Sequence, residues 1–285
     1  MFTEIADRVW MARFPQWDVT VGLVVGHSGA VLVDTRASAR QGREIIGLLR
    51  EMDPLLHVTH VVNTHVHFDH TFGNTAFTDR PIYAHENAAR AAMTDGARVK
   101  ILMEREPNGY EPLGYTAEDI ADARATIIRP ADHTFTESET IDLGDRAVTL
   151  TYAGRGHTDG DITVAVSGTP VVFVGDLVEE SGPPGLGRDS WPLDWAGTLD
   201  TIRAHIAADA LVVPGHGAPV DLDFVARQRE ELDVVASVIR QRRLAGLDLA
   251  TAQTEPDDRL PYPIETLADA FARGWEQLRA PSVSA

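Results

Sequence analysis

The stretch NTHVHFDH, residues 63–70, carries His65, His67, Asp69 and His70 within six positions. On an extended chain residues two apart share a side, so His65, His67 and Asp69 point roughly together, while His70 must reach in from a bend. The stretch follows VTHVV (58–62), a run that reads as a buried strand. A strand ending in such a bend gathers four metal-ligand donors around a small volume. The bland alternative is a polar loop whose histidines satisfy local hydrogen bonds; it needs this spacing to be an accident in a chain with 11 histidines.

Three further stretches each set a ligand-type residue at the end of an expected strand. GRGHTDGD offers His157 in a glycine-rich bend after AVTLTYA (147–153), VVFVGDL offers Asp176 after a buried run, and LVVPGHG offers His216 between glycines. A lone histidine or aspartate at a strand end is usually a cap or a satisfied core group. Three of them beside the first cluster reverse that reading.

The rest of the chain supplies an α/β pattern. VTVGLVVG (19–26), AVLVD ending at Asp34, PIYAH (81–85), DITVAV (161–166), VVFVG (171–175) and ALVVPGHG (210–217) read as strands. Helical spacing of Ile45, Ile46, Leu48, Leu49 and Met52 predicts a helix from Arg40 to Met52. Another helix is expected near Thr198–Ala207. Residues 86–131, rich in Ala, Glu, Arg and Met, read as a helical insertion, not a second domain. The C-terminal part, about 221–280, is expected to be helical, with Asp221 or Asp223 as a cap and a last helix near Glu265–Leu278. One domain over residues 1–285 is the expected organisation, with those helices covering its core or forming a homodimer interface.

Composition narrows the chemistry. There is no cysteine, so any metal must be held by His, Asp or Glu. The formal charge is −18 and Lys100 is the sole lysine, which argues against nucleic acid and anionic membranes as partners. No apolar run is long enough to span a bilayer, and MFTEIADRVWMARF lacks the apolar core of a secretory signal, so a cytoplasmic protein acting on a small molecule is expected.

With these residues in place the sequence resembles the metallo-β-lactamase-fold hydrolases, the superfamily that includes glyoxalase II. The HxHxDH signature stands as His65–His70, followed by His157, Asp176 and His216. The resemblance covers roughly residues 5–220. It implies a four-layer αβ/βα sandwich with the ligands along one edge. It also implies one ion on His65, His67 and His157, a second on Asp69, His70 and His216, and Asp176 bridging. Asp34 matches an acid that often orients a ligand histidine in this family, with a helix cap at the strand end as the alternative reading. The family's dizinc β-lactamases place cysteine where Asp176 stands, whereas the glyoxalase-like branch carries Asp; a glutathione-binding helical domain is not recognisable in residues 221–285.

Imidazole and carboxylate donors suit two Zn²⁺ ions, with Fe, Mn or Co as alternatives. Two ions about 3.5–4 Å apart hold a hydroxide between them at neutral pH, and Asp69 would orient that nucleophile. The expected reaction is hydrolysis of a small ester, thioester, lactone or related bond. Phe14 and Trp17, in RFPQWD (13–18), either form a flap over the substrate or serve as edge packing. EESGPPGLGRDSW after Asp176 would shape the pocket, and Tyr110 or Tyr115 would reach it from the insertion. Three rivals stand beside this reading. A persulfide dioxygenase-like enzyme would hold one iron on His65, His157 and Asp176, a nuclease would need a basic surface, and a non-catalytic binding protein would be expected to have lost ligands.

Overall fold

The computed structural model describes residues 1–106 and 108–279. Two sheets form its middle. The first has seven strands in chain order: β1 (Thr3–Ala6), β2 (Val9–Arg13), β3 (Thr20–Gly26), β4 (Gly29–Val33), β5 (Val58–Val62), β6 (Ile82–His85) and β7 (His133–Phe135). Its pairings are antiparallel as far as β4 and parallel beyond it. The second sheet contains β8 (Ser138–Asp142), β9 (Ala147–Thr151), β10 (Thr163–Val166), β11 (Val171–Glu179) and β12 (Leu211–His216), arranged β12-β11-β10-β9-β8. Only β11 and β12 pair in parallel there.

The helices are α1 (Ala39–Met52), α2 (Phe68–Thr71), α3 (Glu86–Arg105), α4 (Ala117–Ala125), α5 (Trp195–His205), α6 (Leu222–Leu244), α7 (Leu249–Ala252) and α8 (Ala268–Gln277). Alternation along the strands decides where they pack. Val24, Val31, Val33 and Val62 of the first sheet meet Val148, Leu150, Val164 and Phe173 of the second. On the first sheet's other face Leu23, Leu32 and Val61 lie under Ile45 and Leu49 of α1. On the second sheet's other face Val172, Val174 and Val212 lie under Leu199 of α5 and Leu232, Val235 and Ile239 of α6, with Phe271 and Trp275 of α8 in the same cluster. Strands with apolar side chains on both faces need cover on both. The result is the helix–sheet–sheet–helix order of a four-layer αβ/βα sandwich.

The sequence reading did not anticipate β1, β2, β7 and β8, and ended β11 too early. β8 exposes every residue but Ile141, so it carries almost no apolar alternation. β11 continues past Asp176 because Gly175, at φ +54, forms a bulge that shifts the register against β12 without ending the pairing.

Residues 86–131 hold α3, a 3-10 turn at Glu111–Leu113 and α4, and connect the parallel neighbours β6 and β7. Val99, Met103, Ile120 and Ala123 from this stretch pack with Phe68 and Phe72, directly behind the histidine motif. A capping box starts α4: Thr116 Oγ1 accepts from Asp119 N, and the Asp119 carboxylate accepts from Thr116 N. Asp119 also takes a 2.7 Å ion pair from Arg40 of α1. Replacing Thr116 by Ala removes a cap and leaves the metal donors untouched. The expected cost is about 1 kcal/mol, read as a lowered denaturation midpoint with unchanged metal content; an unchanged midpoint would contradict it. Among the described residues no helix is long and apolar enough to cross a membrane.

Candidate metal centre

Four strands deliver the donors. After β5 the chain runs through Asn63 and Thr64 to His65, and His67 stands at the N-cap of α2, so Asp69 and His70 enter from the helix's first turn. His157 sits between β9 and β10, Asp176 on the bulge of β11, and His216 at the last position of β12. Each of the seven ligand candidates named from the sequence reaches one place. His65, His67, His157 and Asp176 offer ligand atoms within 4.8 Å of one another, as do Asp69, His70 and His216. The Asp176 carboxylate faces both groups, with oxygens 3.5 Å from His65 Nε2 and 3.4 Å from His157 Nε2. The same carboxylate lies 3.3 Å from both His70 Nε2 and His216 Nε2.

What lies behind the rings fixes which nitrogen faces inward. His70 Nδ1–H donates to Asp34 Oδ2 at 2.9 Å, His157 Nδ1–H to the Gly185 carbonyl at 3.0 Å, and His216 Nδ1–H to the Trp17 carbonyl at 2.6 Å. His65 Nδ1 lies 3.1 Å from Thr64 Oγ1, whose hydroxyl donates to Asp34 at 2.7 Å, and His67 Nε2 lies 2.9 Å from Asp189 Oδ2. Asp34 thus orients His70 directly and His65 through Thr64.

With the outer nitrogens as donors, the inner nitrogens are lone pairs aimed at each other. His157 Nε2 and His67 Nδ1 are 2.8 Å apart, and His70 Nε2 and His216 Nε2 are 3.3 Å apart. Such pairs repel unless a proton or cation lies between them. His65 Nε2, Asp69 Oδ2 and Asp176 Oδ1 are buried with no hydrogen-bond partner, a costly state for a polar atom without a ligand. Around a tetrahedral ion with bonds of about 2.0–2.1 Å, ligand atoms sit about 3.3–3.4 Å apart. The separations of 3.3–3.5 Å around Asp176 match that spacing. The residues present fit two divalent ions.

Electrostatics say the same. Burial lowers His157 to about 4, and neighbouring imidazole charge adds to it. Burial acts likewise on His70 and His216, yet Asp176 and Asp69 hold both above the usual imidazole range. Burial also opposes charge on His67, but the Asp189 carboxylate raises it to about 9. Below that pH the metal-free chain keeps a proton on His67, and a metal must displace it. Affinity should therefore rise with pH, and loading near neutrality should release protons. Calorimetric titration in buffers of different ionisation enthalpy would show this as a buffer-dependent heat; identical heats would contradict it.

The donors open onto a cavity of about 760 Å³ that exposes His67, Asp69, His157 and Asp176 at its floor. Phe68, Val99, Leu102, Pro183, Leu186 and Leu267 give it apolar walls. Trp17 and Tyr110 line it, but Phe14 and Tyr115 do not. Phe14 is a core residue with the Arg36 guanidinium 3.8 Å above its ring, because alternation along the flap turns it inward. Tyr115 is 2% exposed and packs against Phe68 and Ile120 behind the motif, five residues past Tyr110, which the intervening turn at Glu111–Leu113 leaves lining the cavity. Trp17 and Asp18 adopt left-handed backbone conformations, φ 53 and 54, in the segment that brings the Trp17 carbonyl to His216.

Sequence reasoning placed Glu179 and Asp189 only within the pocket-shaping stretch EESGPPGLGRDSW, without a role beside the donors, and missed Thr64. Glu179, raised to about 8 by its burial, lies beside Asp176 and His216 at the cavity wall. Its place three residues past Asp176 on a strand was the available signal, hidden by the expectation that β11 had ended.

The fold and its cluster of histidines and aspartates find their place in one family: the Metallo-beta-lactamase superfamily matches residues 15–216, and the chain belongs to it. Among relatives, the metallo-beta-lactamase type 2 of Bacillus cereus is 28% identical over 69% of this chain and 66% of its own, so the chain spans just under two thirds of that enzyme. The acyl-coenzyme A thioesterase MBLAC2 of Homo sapiens is 27% identical over 75% of each chain. A solved metallo-beta-lactamase from Pontibacter korlensis superposes with a TM-score of 0.62 at 20% identity, covering 82% of this chain and 98% of its own, a likeness of fold.

Proposed function

We propose that the protein is a binuclear metal-dependent hydrolase acting on a small ester, thioester or lactone, with acyl thioesters the first class to test. The observation that supports two ions is the convergence of two donor groups on one carboxylate, Asp176, with facing inner nitrogens that need a proton or a cation between them. His65, His67 and His157 would hold one ion, Asp69, His70 and His216 the other, and Asp176 both. Zinc is the metal most compatible with imidazole and carboxylate donors in tetrahedral spacing. Bound there, two ions would supply an ionised water and a Lewis acid at neutral pH.

The chain's own residues do the rest. Asp69 reaches the cavity floor and is the group placed to accept a hydrogen bond from the nucleophile. Trp17, Phe68, Val99 and Leu102 exclude water around an acyl group. Arg98 and Arg188 line both this cavity and an adjoining one of about 340 Å³, where an anionic carrier would rest. A thioester substrate also accords with the acyl-coenzyme A thioesterase relative, which matches over three quarters of each chain. The one-iron alternative leaves Asp69, His70 and His216 without a task, although they lie within 4.8 Å of one another.

The test is hydrolysis of acyl-coenzyme A thioesters, an aryl ester, a lactone and a β-lactam by the zinc-loaded chain, before and after chelation. Turnover of a thioester or ester that is lost on chelation and restored by zinc is expected. No turnover in any class, or oxygen uptake with a persulfide, would overturn the reading.

A further inference from the structure

The loop from Glu180 to Asp194, between β11 and α5, touches two of the inner ligands while it walls the cavity. Its Gly185 carbonyl accepts from His157 Nδ1–H at 3.0 Å, and its Asp189 carboxylate faces His67 Nε2 at 2.9 Å. Pro183, Leu186 and Arg188 of the same loop line the substrate cavity. The loop is pinned at its far end, where Trp191 N donates to Gly156 O at 2.8 Å and Arg273 of α8 donates to the Ser190 carbonyl at 3.2 Å.

His67 differs from its four companions. Its side chain is 19% exposed, against 0–7% for His65, His70, His157 and His216. The others are wedged in the protein frame, and their outer nitrogens meet backbone carbonyls or the buried Thr64–Asp34 pair. His67 has a loop side chain as its anchor. Without it the outer nitrogen loses its acceptor, and nothing in the protein frame specifies which nitrogen carries the proton.

We propose that Asp189 is a positioning residue of the metal centre, which holds Nδ1 of His67 inward and ties metal affinity at the His65–His67–His157 group to the loop that contacts substrate. This rests on the binuclear reading given above. A carboxylate behind a ligand histidine fixes its tautomer and raises its basicity, and loss of such a partner typically costs about 10–100-fold in metal affinity. The loop that recognises substrate would then also set occupancy of one ion and not the other.

The test titrates the metal-free chain and its Asp189→Asn and Asp189→Ala variants with Co²⁺ alone, against a chromophoric chelator, alongside melting temperatures of the metal-free proteins. The native chain should take two equivalents. In Asp189→Ala one equivalent should weaken by about 10–100-fold while the other and the melting temperature stay unchanged. Asp189→Asn, which keeps an acceptor oxygen without the charge, should fall between. Two equivalents as tight as native in Asp189→Ala would overturn the proposal. So would equal weakening of both with a lowered melting temperature, which marks a merely structural loop. A native chain that takes no cobalt would instead overturn the metal-centre reading, and this proposal with it.

Discussion

Asp176→Ala protein is expected to fold, to lose tightly bound metal at both positions, and to hydrolyse its substrate at least on the order of a thousandfold more slowly, because water without a metal beside it stays un-ionised at neutral pH. The size of the effect follows from where the side chain stands. Its two oxygens lie 3.3–3.5 Å from inner nitrogens of His65, His70, His157 and His216, so a single truncation removes a donor from each group. Removal also leaves imidazoles facing one another with less negative charge to hold a cation. Metal analysis of the dialysed variant and steady-state rates read both effects. Two equivalents retained after dialysis would refute the bridging role.

A second large effect is expected at a residue with no side chain. A Cβ on Gly215 would fall far inside contact distance of Asp176 Oδ1 and 3.0 Å from the Gly175 carbonyl carbon. The carboxylate cannot stay where it is. Gly215→Ala should therefore behave as a mild copy of Asp176→Ala. A displacement of about 1 Å at a catalytic group is enough to cost about 100-fold in rate, and the overpacking adds about 1–3 kcal/mol of destabilisation. Gly47 of α1 makes the control. A Cβ there meets nothing within 4 Å, so Gly47→Ala should raise stability by about 0.5–1 kcal/mol through helix propensity and leave metal content alone. Native-like metal binding and rate in Gly215→Ala would refute the argument that β11 and β12 are pressed together to place Asp176.

Much of the sandwich was legible because several of its strands are nearly continuous buried apolar runs. VVFVG and LVVPGH lie in strands buried almost throughout, VTHVV ends in a buried pair, and α1 shows its apolar stripe plainly. The edge strands β1 and β8 were not legible, although β12, at the other edge of the second sheet, was. β1 has no fully buried residue and β8 has one, so neither carries the alternation from which a strand is recognised. The donors were legible for a related reason: they lie on or just beyond strands of this kind, and histidine and aspartate are conspicuous beside valine. The support around them was not. Asp189 contacts His67 across 122 positions of sequence, from a glycine- and proline-rich loop whose path no periodicity specifies. Thr64 acts through a hydroxyl shared between His65 and Asp34. Phe14 and Tyr115 show the converse: an aromatic residue beside a site can as easily be its floor support as its wall, and only the turn geometry decides.

The most direct test of the account is the metal content of the native chain, purified without added metal or chelator and measured by elemental analysis alongside protein concentration. The account expects about two equivalents of divalent metal per chain, predominantly zinc. A single equivalent of iron, accompanied by oxygen consumption, would contradict it.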